Sequence, residues 1–451
     1  MSLTTGPILP TLLRLALPNV LAMSMTVLVG IAETRYVGIL GTAPLAAMAL
    51  VFPFAMLVQT MSAGAMGGGV SSAVSRALGA GDPDRAGTLA LHAVVIGAVA
   101  GIMTSIVFMA FGPVLYQALG GSGEVLAEAV RYSGVLFVGA VLVWQVNTLA
   151  SILRGTGEMK VPSITLLVMA LVQIAVGGTF GLGFGPVPRL GLPGVALGQI
   201  VATGGGVAFL YWWLASGHAK LRLGWRGVAL RANLFADILR VGALACLSSI
   251  QTVLTVLIFT GLVARLGVEA LAGYGIGQRL EFLLIPIAFG IGSASIPMVG
   301  MAIGAHDFAR ARRVAWTAGA VSAVNLGVIG LVVSLAPDVW ARLFSSDAVV
   351  LDYARQYLRC AGPGFAFFGL GLTLYFASQG SGHVLGPVLA ATLRLLIVAA
   401  VGVWLASHDS EAWQFFVLVG AGMVVYGLST AAAIWLKSWT PRVVARVVRA
   451  P

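Results

Sequence analysis

The chain has 451 residues, of which 59% are hydrophobic and only 9% are charged, and its formal net charge is +11. Soluble globular domains carry about 25% charged residues, so this composition excludes a soluble globular protein and predicts an all-α integral membrane protein. The excess of basic residues does not indicate nucleic-acid binding, because no basic cluster lies on a soluble domain or alternates with aromatic residues. The two cysteines lie in apolar runs without metal-ligand spacing, so we expect neither a disulfide framework nor a metal site.

Hydrophobic runs long enough to cross a bilayer, which takes about 20 apolar residues, recur along the whole chain. We predict twelve transmembrane helices, at 12–39, 44–75, 86–112, 125–152, 161–183, 191–216, 236–264, 270–302, 312–336, 350–378, 385–406 and 412–436. The first of these spans is not followed by a compact cleavage site, so we expect it to be retained.

The connections between the spans indicate the orientation of the chain. Lysine and arginine concentrate in the connections of one side, and the positive-inside rule makes that side cytoplasmic. Both termini are therefore predicted to be cytoplasmic, which requires an even number of spans. We expect a multi-pass protein of the inner, cytoplasmic membrane.

The longest polar connection divides the predicted spans into two sets of six. Residues 217–235 alternate basic and apolar side chains, as a helix on the cytoplasmic leaflet does, and we predict an amphipathic linker there. The predicted organisation is an N-lobe at 1–216, this linker, a C-lobe at 236–436, and a basic cytoplasmic tail at 437–451.

The two lobes resemble each other in sequence. The segment RYVGILGTAPLAAMAL at 35–50 aligns with GLVARLGVEALAGYGI at 261–276, and GAGDPDRA at 79–86 aligns with GAHDFARA at 304–311. Each repeat holds six spans, an even number, so the two have the same orientation, as in the parallel repeats of transporters. We therefore predict two pseudo-twofold-related six-helix lobes that work by alternating access.

Glu33 lies inside the first predicted span. An ionisable side chain at that depth costs about 3 kcal/mol or more, so it is rare unless it faces a protein interior or a wet cavity. The alternative is a carboxylate that reaches the outer interface or pairs with Arg35, although residues two apart on a helix face nearly opposite ways. The repeat counterpart of Glu33 is Phe259, so the acid is confined to one lobe, and we expect it to carry a coupling ion.

Further polar residues are predicted at membrane depth. Three of them are uncharged and either form a hydrogen-bonded network around Glu33 or simply hold helices together: Gln145, Asn147 and Gln173. Arg279 and Glu281 lie in the eighth span, as an ion pair or as contacts of a cavity. Arg394, in the eleventh span, is expected to extend to the cytoplasmic face.

An ordered set of motifs resembles the multidrug and toxic compound extrusion family, MATE, over almost the whole chain. The motifs are the acid before a VG-x-LG turn at 33–41, LGVEALAGYGIGQRLE at 266–281, and RGTGEMKVP and QGSGHVLGP in matched places of the repeat. The resemblance implies a drug or metabolite exporter driven by inward flow of protons or sodium ions.

Two departures from that family pattern matter. Glu33 stands where the family usually has Asp, and Gln173 and Gly177 stand where many prokaryotic members have the Asn and Asp of an N-D-P pattern. The acid cluster that the resemblance implies is thereby reduced to Glu33.

These observations predict a secondary active efflux transporter, a cation-coupled antiporter of amphipathic, cationic compounds. We expect a monomer in the lipid bilayer, with H⁺ or Na⁺ as coupling ion and no cofactor; the chain has no P-loop for ATP. One alternative is a flippase for lipid-linked saccharides, which would line its cleft with several basic residues, whereas only Arg279 and Arg394 are deep. The other is an intramembrane enzyme, but no HExxH, GxSxG or paired aspartates are present.

Overall fold

A computed structural model of the chain describes residues 3–221, 223–224, 229–408 and 410–436. The predicted basic tail, 437–451, and residues 222 and 225–228 of the predicted linker lie outside these ranges. The described residues form α-helices and no β-strand: α1 Ile8–Leu40, α2 Thr42–Gln59, α3 Gly67–Gly79, α4 Pro83–Ala118, α5 Gly123–Val138, α6 Ala140–Gly155, α7 Lys160–Leu182, α8 Leu192–Ala215, α9 Ala232–Ala264, α10 Val268–Gly304, α11 Phe308–Leu335, α12 Asp338–Ala341, α13 Ala348–Ala361, α14 Phe365–Ser381, α15 Leu385–Ala406 and α16 Ala412–Leu436.

These helices confirm the all-α membrane fold. Eleven helical runs in the described ranges are long and apolar enough to cross a membrane, and α5 with α6, bent by 42°, brings the number to twelve. Two further spans are also built from two helices each. A π-helical segment, Thr60–Met66, joins α2 to α3, and a 3₁₀ turn, Gly362–Gly364, joins α13 to α14.

The sequence repeat is visible in local structure. Asp82 begins α4 by accepting a hydrogen bond from the backbone N–H of Arg85, and Asp307 begins α11 by accepting one from Arg310, both at 2.9 Å. A carboxylate at this position satisfies a backbone donor that the helix cannot. Gly41 and Gly267, which the repeat aligns, both turn the chain with positive φ, at 134° and 115°.

The contacts divide the chain into two compact units. Of the described residues, the N unit comprises those within Leu17–Leu78 and Asp82–Cys246, and the C unit comprises those within Met1–Ala16, Gly79–Gly81 and Leu247–Pro451. Both α1 and α9, the first helix of each repeat, are thus shared between the two units.

Small residues let the backbones touch inside the N unit. A Cβ on Gly198 of α8 would lie 2.6 Å from Cα of Gly177 of α7, and one on Gly194 would lie 2.4 Å from the carbonyl oxygen of Phe180. Close backbone approach of this kind is how helices associate in lipid, where apolar side chains gain little by leaving the solvent. The glycines between 177 and 198 therefore fix α7 against α8.

Aromatic side chains fill the C unit instead. Tyr357, Phe365 and Phe416 are fully buried. The rings of Tyr357 and Phe416 meet edge to face at 5.4 Å, an arrangement favourable for aromatic pairs. A Cβ on Gly277 of α10 would lie 2.0 Å from the Tyr357 ring, so glycine makes room for the tyrosine.

Candidate functional site

The structure brings Glu33 and Gln173 together inside the N unit. Both side chains are half-buried, and Nε2 of Gln173, on α7, donates a 2.8 Å hydrogen bond to Oε1 of Glu33, on α1. Tyr132, a buried residue of α5, interacts electrostatically with the same carboxylate. The ion pairs formed by the described residues do not include Glu33 or Arg35.

This pair can serve either protonation state of the acid. An ionised carboxylate only accepts hydrogen bonds, and the Gln173 amide supplies a donor. A protonated carboxyl donates one, and rotation of the same amide supplies an acceptor oxygen. Glu33 and Gln173 can also offer two oxygens to a sodium ion, which prefers oxygen ligands as other hard cations do.

Gln145 and Asn147 of α6 make their hydrogen bonds elsewhere. Nε2 of Gln145 donates to the backbone carbonyl of Val94 on α4 at 2.9 Å. Nδ2 of Asn147 donates to Oγ of Ser62 at 2.9 Å and, more weakly, to Oε1 of Gln59 at 3.4 Å. Each therefore joins α6 to a neighbouring helix, which is the role that the alternative interpretation of these residues describes.

Arg279 and Glu281, both on α10, contact different residues. Arg279 is exposed and lies over the ring of Phe344, 5.2 Å from its centre. Glu281 is half-buried and accepts a hydrogen bond from the hydroxyl of Tyr357 on α13. Residues i and i+2 of a helix point about 200° apart, so the side chains of Arg279 and Glu281 diverge instead of pairing.

Sequence reasoning missed the tyrosines. Tyr132 and Tyr357 occupy equivalent positions of the repeat. Tyr132 interacts electrostatically with Glu33, and Tyr357 donates a hydrogen bond to Glu281. The signal was present in the sequence, since the repeat aligns the two tyrosines. Nothing about either residue alone distinguishes it from an ordinary core aromatic.

Comparison with known proteins finds the same repeat. The MatE family model matches the chain twice, at residues 18–178 and 245–405. The chain belongs to the MATE family. This confirms the resemblance found in the sequence, and it makes the chain a multi-pass membrane transporter, not an enzyme.

Similar proteins cover most of this MATE chain. A protein of Shewanella oneidensis named "FAD transporter" is 25% identical, over 83% of this chain and 82% of its own length. The "Probable multidrug resistance protein NorM" of Thermotoga maritima is 25% identical, over 88% of this chain and 83% of its own. A solved structure described as the outward-facing conformation of a multidrug resistance MATE family transporter superposes with a TM-score of 0.86 at 22% identity, over 99% and 98% of the two chains. That last similarity shows the two-lobe fold alone.

Proposed function

We propose that this MATE protein is a secondary active exporter of amphipathic, cationic compounds, and that Glu33 carries the coupling ion, H⁺ or Na⁺. The hydrogen bond from Gln173 to Glu33 supports the proposal most directly, because it holds an ionisable group of the first span in a defined, half-buried place. A carboxylate at membrane depth is costly, and such residues commonly mark ion pathways.

The proposed cycle uses the charge of Glu33. The ionised carboxylate attracts a cationic substrate while accepting the hydrogen bond from Gln173. A proton taken up from outside neutralises Glu33, which removes that attraction and reverses the direction of the hydrogen bond, so the substrate is released. Loss of the proton to the cytoplasm restores the starting state. In a sodium-coupled cycle the ion would lie against the same carboxylate and the amide oxygen of Gln173.

The proposal includes the cellular arrangement expected from the sequence. We place the protein in the inner membrane as a monomer, with both termini and the 217–235 linker between its lobes in the cytoplasm, and with transport by alternating access. With Cys246 and Cys360 replaced, a cysteine introduced at His218 should resist an impermeant thiol reagent added to intact cells. Ready labelling from outside would reverse the orientation.

The main experiment measures accumulation of a fluorescent cation inside inverted membrane vesicles, whose cytoplasmic face is outward, under an imposed proton gradient or an imposed sodium gradient. Only one gradient should drive transport by the wild type. Glu33→Gln should keep the protein in the membrane and abolish the gradient-driven part, and Glu33→Asp should retain some of it. Glu269→Gln is the matched control, because Glu269 is exposed in the first turn of α10.

Two outcomes would change the proposal. Wild-type gradient dependence in Glu33→Gln would leave Glu33 a structural role and move the search for the ion site to Glu281. Transport of FAD but of no cationic dye would replace the substrate class; FAD belongs in the substrate panel because the Shewanella relative is named a transporter of it.

A further inference from the structure

A basic cluster lies at the start of α11 in the C unit. Residues 304–320 hold three arginines and a single acid, Asp307, whose carboxylate is used to begin the helix. Arg310 is buried and donates to two backbone carbonyls of the segment before α1, at 3.1 and 2.6 Å. The other two arginines are Arg312 and Arg313, and the ion pairs formed by the described residues include neither of them.

The position of Arg313 along α11 matches the surface of a bilayer. One side of this helix exposes large apolar residues at helical spacing: Val324, Val328, Leu331 and Leu335. Arg313 is exposed on the same side, because it precedes Val324 by about three full turns. The distance along the helix axis from Arg313 to Leu335 is about 33 Å, and the hydrocarbon core of a bilayer is about 30 Å thick. Arg313 therefore lies at one membrane interface when Leu335 lies at the other.

Arg312 is held over an exposed tryptophan near the end of α16. Its guanidinium carbon lies 4.9 Å from the centre of the Trp435 ring, and its Nη2 donates a 3.3 Å hydrogen bond to the Trp435 carbonyl oxygen. Trp435 is 63% exposed and packs edge to face on Trp316 of α11, with the ring centres 5.7 Å apart. Tryptophan is typical of the headgroup region of a membrane. A guanidinium has five N–H donors, so this hydrogen bond leaves most of those of Arg312 for a ligand.

A polar recess opens at the same end of α14, α15 and α16. Its empty space is about 290 Å³, its open mouth included, and its lining includes Ser378, Ser381, His383 and Ile434, the neighbour of Trp435. A water molecule takes about 30 Å³ in the liquid, so the recess has room for a small polar group. The hydroxyls of Ser378 and Ser381 donate to carbonyls of their own helix, at 2.6 and 2.9 Å. Their oxygens remain as acceptors for a hydroxyl of a ligand.

The recess and Arg312 lie at the same level of the C unit. An added Cβ on Gly319 of α11 would lie 3.2 Å from the side chain of Leu374 of α14. Later residues of α11 pack on earlier residues of α14, so the two helices run antiparallel. Arg312 comes seven residues before Gly319, and Ser381 comes seven residues after Leu374. The guanidinium and the recess are therefore at one depth of the membrane.

The cluster is confined to one half of the repeat. With the two aspartates that begin α4 and α11 aligned, the counterparts of Arg312 and Arg313 are Gly87 and Thr88. The counterpart of the recess histidine is Glu158, which would repel an anion. Both halves form the same arrangement of helices, so the fold does not require these charges. A role specific to the C unit explains them better.

We propose that this end of the C unit binds the headgroup of an anionic phospholipid, with Arg312 and Arg313 holding the phosphate and the recess receiving a hydroxyl-bearing headgroup. Basic pockets between transmembrane helices bind such headgroups, and a guanidinium can hold a phosphate through two parallel N–H donors. The exposed apolar side of α11 next to Arg313 provides a surface for acyl chains, which a free phosphate does not need. The inference goes beyond the proposed export function and does not depend on it.

Native mass spectrometry of the purified full-length protein tests the lipid site. The protein in detergent is mixed with phosphatidylglycerol and with diacylglycerol of the same acyl chains, which lacks the phosphate and the headgroup. The quantity compared is the ratio of phosphatidylglycerol adducts to diacylglycerol adducts, because this ratio does not depend on protein yield. Thermal unfolding is measured in parallel with phosphatidylglycerol or with inorganic phosphate at the same concentration.

Arg312→Gln should lower the adduct ratio about 10-fold or more, because it removes charge-assisted hydrogen bonds to the phosphate. Arg312→Lys keeps the charge without the fork and should retain part of the ratio. Arg313→Gln and Trp435→Leu should each lower it by less, the first because Arg313 is exposed and the second because only the ring that holds the guanidinium is lost. Arg240→Gln is the matched control, because Arg240 is exposed on α9 and outside the cluster.

The unfolding temperature of the wild type should rise with phosphatidylglycerol and stay the same with inorganic phosphate. An unchanged adduct ratio in Arg312→Gln would overturn the inference. So would an equal fall in Arg240→Gln, because the preference would then report overall charge. Equal stabilisation by inorganic phosphate would make this a site for a free anion and not for a lipid. Arg313→Gln and Trp435→Leu keep the test decisive if Arg312→Gln fails to fold.

Discussion

Gly198 provides a test of the Glu33 site from a residue that does not touch the carboxylate. A Cβ added at Gly198 would lie 2.6 Å from the backbone nitrogen and Cα of Gly177, and 2.8 Å from the carbonyl oxygen of Gln173. Carbon atoms pack best at about 3.5–4.0 Å, so Gly198→Ala must separate α8 from α7 by about 1 Å. The atoms in the way are backbone atoms, so a side-chain rotation cannot relieve the clash.

The displacement acts on the residue that holds the acid. Overpacking of this kind costs about 1–3 kcal/mol of stability. The Gln173 to Glu33 hydrogen bond is 2.8 Å long, and hydrogen bonds with nitrogen donors extend to only about 3.2 Å, so a shift of about 1 Å is enough to break it. We therefore expect Gly198→Ala to unfold at a lower temperature in detergent and to lose most of its gradient-driven efflux.

The controls separate packing from coupling. Gly205 lies on the same helix with no atom within 4 Å of an added Cβ, so Gly205→Ala should behave as the wild type. If Gly198 acts through Gln173, the efflux losses of Gly198→Ala and Gln173→Ala should not add in the double variant. Equal behaviour of the two glycine variants would refute the packing argument, and additive losses would refute the connection to Gln173.

Two charged positions give further predictions. The guanidinium of Arg355 donates to Asp338 at 2.7 Å and holds the pKa of that carboxyl below its ordinary value of 3.8. The stabilisation is therefore present above about pH 4 and lost as the pH falls through the lowered pKa. We expect Asp338→Asn to unfold at a lower temperature than the wild type at neutral pH, and at the same temperature as the wild type in acid. Asp237 pairs with Arg76 at 2.8 Å and Arg85 at 3.1 Å, and Asp237→Asn should cost about 1 kcal/mol. High salt should reduce the difference in thermal stability between Asp237→Asn and the wild type, because salt screens the ion pairs. A difference that stays the same in high salt would contradict this prediction.

The sequence predicted the spans well because hydrophobic runs are read without knowledge of contacts. It also identified Glu33, since an acid in an apolar run is conspicuous. It could not divide the polar amides by site: Gln145, Asn147 and Gln173 look alike until the helix faces are known, and only Gln173 donates to Glu33. The π-helical segment at Thr60–Met66, whose Ser62 receives the Asn147 hydrogen bond, has no composition that predicts it.

The direction in which the Arg394 side chain faces could not be predicted from the sequence either. Its depth in the eleventh span was visible in the sequence, and long basic side chains near helix ends usually extend to the interface. In the structure Arg394 is half-buried, and its guanidinium carbon lies 5.9 Å from the centre of the Tyr426 ring. Whether a residue at a given depth faces lipid or protein depends on how the helix is rotated, and a uniformly apolar helix carries little information about that rotation.

The two units have a tyrosine at equivalent positions of the repeat, but they carry the acid on different helices of the repeat. Tyr132 and Tyr357 are equivalent in the repeat, but their acids are not: Glu33 comes from the first helix of its repeat and Glu281 from the second span of its own. At the repeat position of Glu33 the C unit has Phe259, which packs against Tyr274 and leaves no ionisable group there. The surrounding charge differs as well, because Glu33 has an uncharged amide as its hydrogen-bond donor, whereas Glu281 has Arg394 within electrostatic range. The amide partner of Glu33 can serve both protonation states of the acid, whereas Glu281 lies near a permanent positive charge. This asymmetry supports the proposal that the coupling ion is exchanged at Glu33.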